Sequence, residues 1–159
     1  MATRTLLILL VLNATIASAQ YGGGSGTAED PYQIWDANQM NSIDNDPCDR
    51  DKHFILMADI DLSAFDGKEG RPTFNIIAPD YDLTKSGYQG TPFSGVFDGD
   101  GHTVSRYAYD SNDLWCIGLF GSVTGSDSEI KNLTLEDPNV SGGVGDKVGG
   151  LVGALASDQ

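Results

Sequence analysis

Short segments in which apolar and polar residues alternate fill most of the chain after residue 53. In the clearest of them, FILMADIDL, apolar residues stand at every second position from Phe54 to Leu62, and Asp59 and Asp61 fall on the opposite face. A period of two predicts one half-buried strand over residues 54–62, with the two aspartates hydrated or, alternatively, holding a cation. Six more segments follow, each bounded by Gly, Pro, Asp, Asn or Ser: FNIIA, GVF, HTVSRYAY, CIGLFGSV, EIKNLTL and VGGLVGALA. The pattern predicts an all-β fold.

One short helix is predicted before these strands. Asp36 is a favourable N-cap, Gln39 stands at the third helical position, and Trp35 and Met40 occupy the two positions of a hydrophobic staple. The apolar residues of one helical face are Ala37, Met40 and Ile43. We expect the helix to end before residues 44–51, DNDPCDRD.

The start of the chain has the pattern of a secretory signal peptide. Arg4 precedes the apolar run Leu6 to Leu12, and Ala17, Ser18 and Ala19 supply the small residues that a signal peptidase requires. We expect cleavage after Ala19 and a secreted or cell-surface protein. No later apolar run approaches the roughly 20 residues of a membrane-spanning helix, so no membrane insertion is expected.

Two further stretches interrupt the pattern of strands. The glycine-rich residues 20–31 are predicted to be a linker, and the long polar loop between Ala78 and Pro92 is predicted to be an insertion at one edge of the fold. Cys48 and Cys116 are few for a disulfide scaffold, and Cys116 lies in an apolar segment. We expect that they are not bridged to each other.

The charge of the chain limits its partners. The 159 residues carry a formal net charge of −14, with 23 Asp and Glu against 9 Lys and Arg. A surface this acidic repels phosphate backbones and anionic lipid headgroups, so nucleic acid is not an expected partner. Most of the carboxylates are interpreted as a solvated face, although they also favour loose association with divalent cations.

A partial repeat lies among the strands. IGLFG ends in Gly118, Leu119, Phe120 and Gly121, and GGLVG repeats this pattern from Gly150, thirty-two residues after Gly118. A period of roughly 20–50 residues is typical of a solenoid, in which each turn of the chain adds strands to the same sheets. Two unrelated glycine-rich strands of a β-sandwich are the alternative that periodicity leaves open.

The two copies resemble the GLUG motif of bacterial secreted and surface proteins. Its positions here are Gly118, Leu119, Gly121, Gly150, Leu151 and Gly153. The preceding series, from DPYQIWDANQMNSI through FSGVFDGDGHTV to IKNLTL, is similar to the N-terminal part of such proteins. The resemblance implies a right-handed parallel β-helix over residues 32–159, with the predicted helix covering its first turn. Some relatives of this kind carry peptidase domains elsewhere in the chain.

The segment GVFDGDGHTV interleaves Asp98 and Asp100 with glycines and poses a choice between a Ca²⁺ loop, an acid–base pair and a turn. Counted from Asp98, an EF-hand loop would need an oxygen ligand at His102, glycine at Thr103 and glutamate at Tyr109, and it has none of these. Two carboxylates could serve glycoside hydrolysis, but nothing marks a cleft around them. A turn accounts for every residue, so Asp98 and Asp100 remain only alternative Ca²⁺ ligands. Asn132 is interpreted as another turn residue.

No catalytic constellation is identifiable, so we expect neither an enzyme nor a cofactor. The first functional hypothesis is a non-catalytic scaffold or adhesive module of a secreted or cell-surface protein. The second is a polysaccharide-binding or polysaccharide-degrading domain. Its possible sugar contacts are Trp115 and Tyr107, with Tyr109 and Tyr88 as further aromatic candidates. A lyase would need a basic residue beside metal ligands, and Arg106 stands alone. The third is an accessory segment of a secreted peptidase. Expected partners are therefore extracellular polysaccharide or protein.

The last apolar segment, VGGLVGALA, is predicted to be an uncapped strand edge. Solenoids close their ends with a polar cap because open strand edges pair with other chains. No capping helix, proline or lysine-rich edge follows Gly153. We therefore expect a fragment of a longer solenoid that self-associates through its open C-terminal edge.

Overall fold

The structure is a computed structural model that describes residues 20–80, 88–111, 114–142 and 147–156. The predicted signal peptide lies outside the described residues, as does the middle of the predicted insertion, residues 81–87. No helix in the described ranges is long and apolar enough to cross a membrane.

Short strands dominate the described residues, which confirms the all-β prediction. The strands are β1 (Tyr32–Ile34), β2 (His53–Leu56), β3 (Ile60–Asp61), β4 (Val96–Asp98), β5 (Thr103–Ser105), β6 (Ala108–Ser111), β7 (Cys116–Ile117), β8 (Phe120–Val123), β9 (Glu129–Lys131), β10 (Thr134–Glu136), β11 (Asn139–Gly142), β12 (Lys147–Val148) and β13 (Val152–Leu155). The same described ranges contain one helix, α1 (Ala37–Asn41), and three 3₁₀ turns, Ile43–Asn45, Pro47–Asp49 and Ser63–Phe65.

All pairings between the described strands are parallel. They form sheets with the orders β1-β2-β4-β9, β3-β5-β10, β6-β11, β7-β12 and β8-β13. Val104 lies opposite Leu135 and Tyr109 opposite Val140, an offset of 31 residues in both sheets. Parallel neighbours need a long crossover. The crossover from β1 to β2 contains the helix, whereas each later crossover contains strands of the other sheets.

Aromatic side chains stack between successive strands in the core. Phe54 and Phe97 lie on paired positions of β2 and β4, with ring centroids 6.4 Å apart and ring planes inclined by 29°. Phe120 meets Phe97 edge-on at 5.3 Å and lies 5.1 Å from Phe93. These four rings are almost completely buried. Offset and edge-to-face ring contacts of this kind add to the free energy gained from burying apolar area.

The prediction of one strand over residues 54–62 is wrong, because this segment forms two strands, β2 and β3. β2 pairs with β4, whereas β3 pairs with β5 in another sheet, and the chain bends between Met57 and Asp59. Phe54, Leu56 and Ile60 are buried all the same. Alternation survives the bend because the inward positions of both strands face the same core.

The glycine-rich residues 20–31 are not a free linker, so this prediction is also wrong. Gly22 donates its N–H to the carbonyl of Gln33 at 2.9 Å, and Gln33 donates to the carbonyl of Gly23 at 2.9 Å. Tyr21 is buried, with its ring centroid 4.5 Å from that of Tyr32 and 5.5 Å from that of Phe54. The segment therefore covers the outer edge of β1 and closes this end of the core.

The helix prediction is confirmed at its N-terminus. The carboxylate of Asp36 accepts a hydrogen bond from the backbone N–H of Gln39 at 2.9 Å, and the Gln39 side-chain oxygen accepts from the backbone N–H of Trp35 at 2.7 Å. Met40 is fully buried, whereas Trp35 lies against Gly22 with 49% of its surface exposed. The helix is thus held by its cap and by one buried side chain.

Candidate functional site

The two copies of the repeated glycine motif lie directly on each other. Leu119 donates its N–H to the carbonyl of Gly150 at 3.2 Å, and Phe120 donates to that of Leu151 at 2.9 Å. A side chain on Gly118 would approach the backbone nitrogen of Gly153 to 2.7 Å, and one on Gly121 would approach the carbonyl oxygen of Ala78 to 2.6 Å. Gly118 and Gly121 therefore lie in a crowded corner between β7 and β8.

Tyr107 does not belong to a sugar-contacting surface, so this prediction is wrong. The side chain is fully buried, and its hydroxyl donates a hydrogen bond to the carbonyl of Gly118 at 2.7 Å. Burial raises the pKa of the phenol well above its ordinary value. The position follows Arg106, whose backbone bends at φ +55° and turns the next side chain inward.

The other aromatic candidates have different surroundings. Tyr88 donates to the carbonyls of Ala78 and Pro79 at 3.1 Å, and it thereby anchors the loop that the sequence suggests as an insertion. Trp115 is 38% exposed. Tyr109 is half-buried and lines a cleft beside the Ile43–Asn45 turn.

The segment from Asp98 to Gly101 is a turn, as predicted. The Asp98 carboxylate accepts the backbone N–H of Asp100 at 2.9 Å and the side-chain amide of Asn132 at 3.0 Å. Asp100 and Gly101 have φ of +48° and +82°. The backbone N–H of His102 closes the turn by donating to the carbonyl of Gly99 at 2.8 Å. In the described residues, no group of three or more His, Cys, Asp or Glu is placed to hold a metal ion.

Asn132 forms the corresponding corner of the next turn of the chain, which confirms its interpretation as a turn residue. Its φ is +52°, and its carbonyl accepts the N–H of Gly101 at 2.9 Å. Asparagine is one of the few non-glycine residues that adopt this left-handed conformation readily. The corner at Asn132 therefore lies on the corner at Asp98–Gly101, just as β9 lies beside β4.

Asp59 and Asp61 are exposed to solvent, as the hydrated interpretation requires, and protein groups also bind their carboxylates. The Asp59 carboxylate accepts the backbone N–H of Thr103 at 2.9 Å and lies 3.1 Å from the ring Nδ1 of His102. Both contacts lower the pKa of Asp59, and the bond from Thr103 has the larger effect. Arg106 contacts both carboxylate oxygens of Asp61, with its Nε 2.8 Å from Oδ1, and holds the pKa of Asp61 well below its usual range. Arg106 is thus an ion-pair partner between β3 and the corner after β5.

A buried ion pair joins three distant parts of the chain. Arg50 contacts Asp44 through Nη2 at 2.8 Å, and only 3% and 4% of the two side chains are exposed. Nη1 of Arg50 donates to the carbonyl of Thr91 at 2.8 Å, and Asp44 also accepts the N–H of Ala78 at 2.8 Å. Charged side chains are rarely buried without such partners. The network ties the region after α1 to both ends of the loop that begins near Pro79.

Cys48 and Cys116 are not joined by a disulfide, and they lie in very different places. Cys48 is exposed on a 3₁₀ turn, and Cys116 is buried in β7. A hydrogen bond to Asp46 raises the pKa of the Cys48 thiol. A raised pKa lowers the fraction of the reactive thiolate at neutral pH.

A cleft of about 310 Å³ lies between the 3₁₀ turn Ile43–Asn45, the segment 73–79 and the region of β6. The residues that line it are Asp44, Asn45, Thr73, Phe74, Asn75, Ile76, Pro79, Tyr109 and Leu114. Sequence reasoning named Tyr109 as an aromatic candidate but missed the asparagines and the threonine, since nothing in their local sequence marks them.

The most exposed apolar side chains near the second glycine motif are Val148 and Leu155, at 44% and 81%. They lie on β12 and β13, which are outermost in their sheets as far as the described residues extend. Self-association through this edge stays a prediction.

Comparison with known proteins gives two relatives of much greater length. The chain is 35% identical over 137 residues to Halomucin from Haloquadratum walsbyi, covering 82% of this chain and 1% of Halomucin. It is 31% identical over 142 residues to a protein named as a Gly-rich membrane protein from Evansella cellulosilytica, covering 89% of this chain and 15% of that protein. No protein-family model matches the chain, and no solved structure matches it significantly.

Proposed function

We propose that this chain is a non-catalytic module of a secreted or cell-surface protein, built as a right-handed parallel β-helix that presents a fixed adhesive surface. The observation that carries the proposal is the register of the strands. Phe54 pairs with Phe97 and Phe97 with Ile130, so one sheet receives a strand from each successive turn of the chain. Crossovers between parallel strands are right-handed in nearly all proteins, which supports the handedness.

The surface chemistry supports a static role. The carboxylates of Asp59, Asp61 and Asp98 are each bonded to groups from a neighbouring turn or corner, so they brace the stack. The resemblance to GLUG proteins, with Gly118, Gly121 and Gly153 at crowded corners, supports the same assignment. In such a module the shape of the outer surface is fixed by the backbone, as adhesion requires.

The location is supported by the pattern of residues 1–19 and by the names of the relatives. One relative is named a membrane protein and the other Halomucin, and both are far longer than this chain. We propose that this chain likewise belongs to the cell envelope or its surroundings, where a rigid stack of strands holds a binding surface away from the cell.

Labelling of intact cells tests the proposal. An antibody raised against residues 20–159 is expected to label unpermeabilised cells of the source organism or to detect the protein in the medium. An antibody against a cytosolic enzyme should label only permeabilised cells. Signal that appears only after permeabilisation would contradict a surface or secreted role.

A further inference from the structure

The cleft between the Ile43–Asn45 turn, the segment 73–79 and the β6 region is lined by apolar and neutral polar residues together with one carboxylate. Its volume of about 310 Å³ is at the lower end of the range of small-molecule sites. Phe74 and Ile76 are buried and contribute apolar surface, whereas Thr73 and Asn75 are exposed. The cleft therefore combines apolar walls with neutral hydrogen-bonding groups, on a protein whose formal net charge is −14.

The asparagines of the cleft are held in place by one another. The backbone N–H of Asn75 donates to the side-chain oxygen of Asn41 at 2.7 Å. Its side-chain amide donates to the carbonyl of Asn41 at 3.2 Å and to the side-chain oxygen of Asn45 at 3.3 Å. These bonds engage the amide donors of Asn75, so that its side-chain carbonyl can accept from a ligand hydroxyl. Groups fixed in this way lose little side-chain entropy when a ligand binds.

Among the described residues of the lining, the one ionised group is already neutralised. Asp44 lines the cleft, but its carboxylate is paired with Arg50 and bonded to the N–H of Ala78. No Lys or Arg is among the lining residues that the structure describes. An anionic ligand would therefore find no cation to pair with, and a cationic ligand would compete with Arg50 for a buried carboxylate.

We infer that this cleft binds a neutral saccharide, whose hydroxyls bond to Asn75, Asn45 and Thr73 and whose ring C–H groups pack against Tyr109 and Leu114. Sugars present hydroxyls at their edges and apolar C–H faces, and the lining matches both. The half-buried ring of Tyr109 supplies a flat apolar surface. The inference rests on the proposed adhesive function, since it names the chemical class of what the surface holds.

Binding of the secreted full chain to an immobilised panel of oligosaccharides tests the inference. The panel contains neutral gluco-, galacto-, manno- and xylo-oligosaccharides, together with uronate-containing alginate and polygalacturonate fragments and a set of unglycosylated peptides. We expect binding to at least one neutral saccharide and none to the uronates or peptides.

Two variants place the binding in the cleft. Asn75→Ala removes a fixed acceptor and is expected to weaken binding about tenfold, as the loss of one or two hydrogen bonds predicts. Thr73→Lys changes an exposed side chain and fills the cleft, so binding should be lost while the thermal midpoint stays near that of the wild type. Gln33→Ala, an amide change on β1, serves as the control and should bind like the wild type.

Several results would overturn the inference. They are the absence of binding to any neutral saccharide, a preference for uronates or peptides, or binding by Thr73→Lys that equals the wild type. Because cell labelling does not depend on the cleft, surface labelling without saccharide binding rejects this inference and leaves the proposed function standing. Saccharide binding by a protein that stays inside the cell would reject the proposed location instead.

Discussion

Two glycines that hold the same place in the repeated motif meet different surroundings. A Cβ on Gly118 would lie 2.7 Å from the backbone nitrogen of Gly153 and 2.8 Å from the carbonyl oxygen of Phe120. A Cβ on Gly150 would come no closer than 3.4 Å to any atom, and its nearest neighbours are the side chains of Leu135 and Pro138. Only the first glycine is thus required by close backbone packing.

Alanine at these two positions should therefore have unequal effects. Gly118→Ala forces backbone atoms apart and should lower the free energy of unfolding by about 1–3 kcal/mol, as overpacked sites do. Gly150→Ala should change it by much less, because 3.4 Å is an ordinary contact distance. Denaturant unfolding of both variants measures the difference. Equal losses would mean that the motif glycines serve a purpose other than backbone approach.

At the scale of elements, the ion pair of Arg50 and Asp44 connects pieces that have no strand pairing with one another. It joins the 3₁₀ turns after α1 to Ala78 and to Thr91, the two sides of the loop between them. Arg71 binds both carboxylate oxygens of Asp66 at 2.8 Å, but 39% of the Arg71 side chain is exposed. The exposed pair therefore has at least as many contacts between arginine and aspartate as the buried one, but it lies in water.

Removal of the buried arginine should be far more harmful than removal of the exposed one. Arg50→Ala leaves the Asp44 carboxylate buried without its partner, which typically costs about 3–5 kcal/mol of stability. Arg71→Ala breaks a pair that water screens, so the midpoint of thermal unfolding should hardly move. Thermal and denaturant unfolding of the two variants measures the loss of stability in each. Similar losses in Arg50→Ala and Arg71→Ala would show that burial does not determine how much an ion pair stabilises this protein.

At the scale of the whole molecule, the described chain returns three times to the sheet β1-β2-β4-β9. Tyr32 pairs with Phe54, Phe54 with Phe97 and Phe97 with Ile130, so the passes are 22, 43 and 33 residues long. The longest pass contains the segment 73–79 that lines the cleft, together with the loop anchored by Tyr88. The extra residues therefore add a surface to the stack without changing its register.

If the chain is a β-helix, it should accept another turn. Insertion of a second copy of residues 118–149 after Gly149 is expected to give a folded protein whose long dimension grows by about 4.8 Å, the spacing between neighbouring strands. Small-angle X-ray scattering measures the change, and insertion of 32 residues of flexible Gly-Ser sequence at the same place is the control. A duplicated turn that scatters like the flexible insert would contradict the stacking model.

What the sequence determined by itself was local. The N-cap at Asp36, the turn at Asp98–Gly101 and the corner at Asn132 were predicted correctly because a few neighbouring residues set their backbone angles and hydrogen bonds. The stacking of the two glycine motifs also follows from their spacing, since a repeat along the chain becomes a neighbour in space.

Tertiary structure decided the rest. The alternation of apolar and polar residues does not show the bend between β2 and β3, because both strands face one core. The glycine content of residues 20–31 does not show that this segment pairs with Gln33 and buries Tyr21. The inward position of Tyr107 depends on a left-handed corner at Arg106. The cleft brings together residues near 45, 75 and 109. The buried ion pair and the sheet register hold these segments side by side. Contacts between positions so far apart in the sequence leave no local pattern from which they could be predicted.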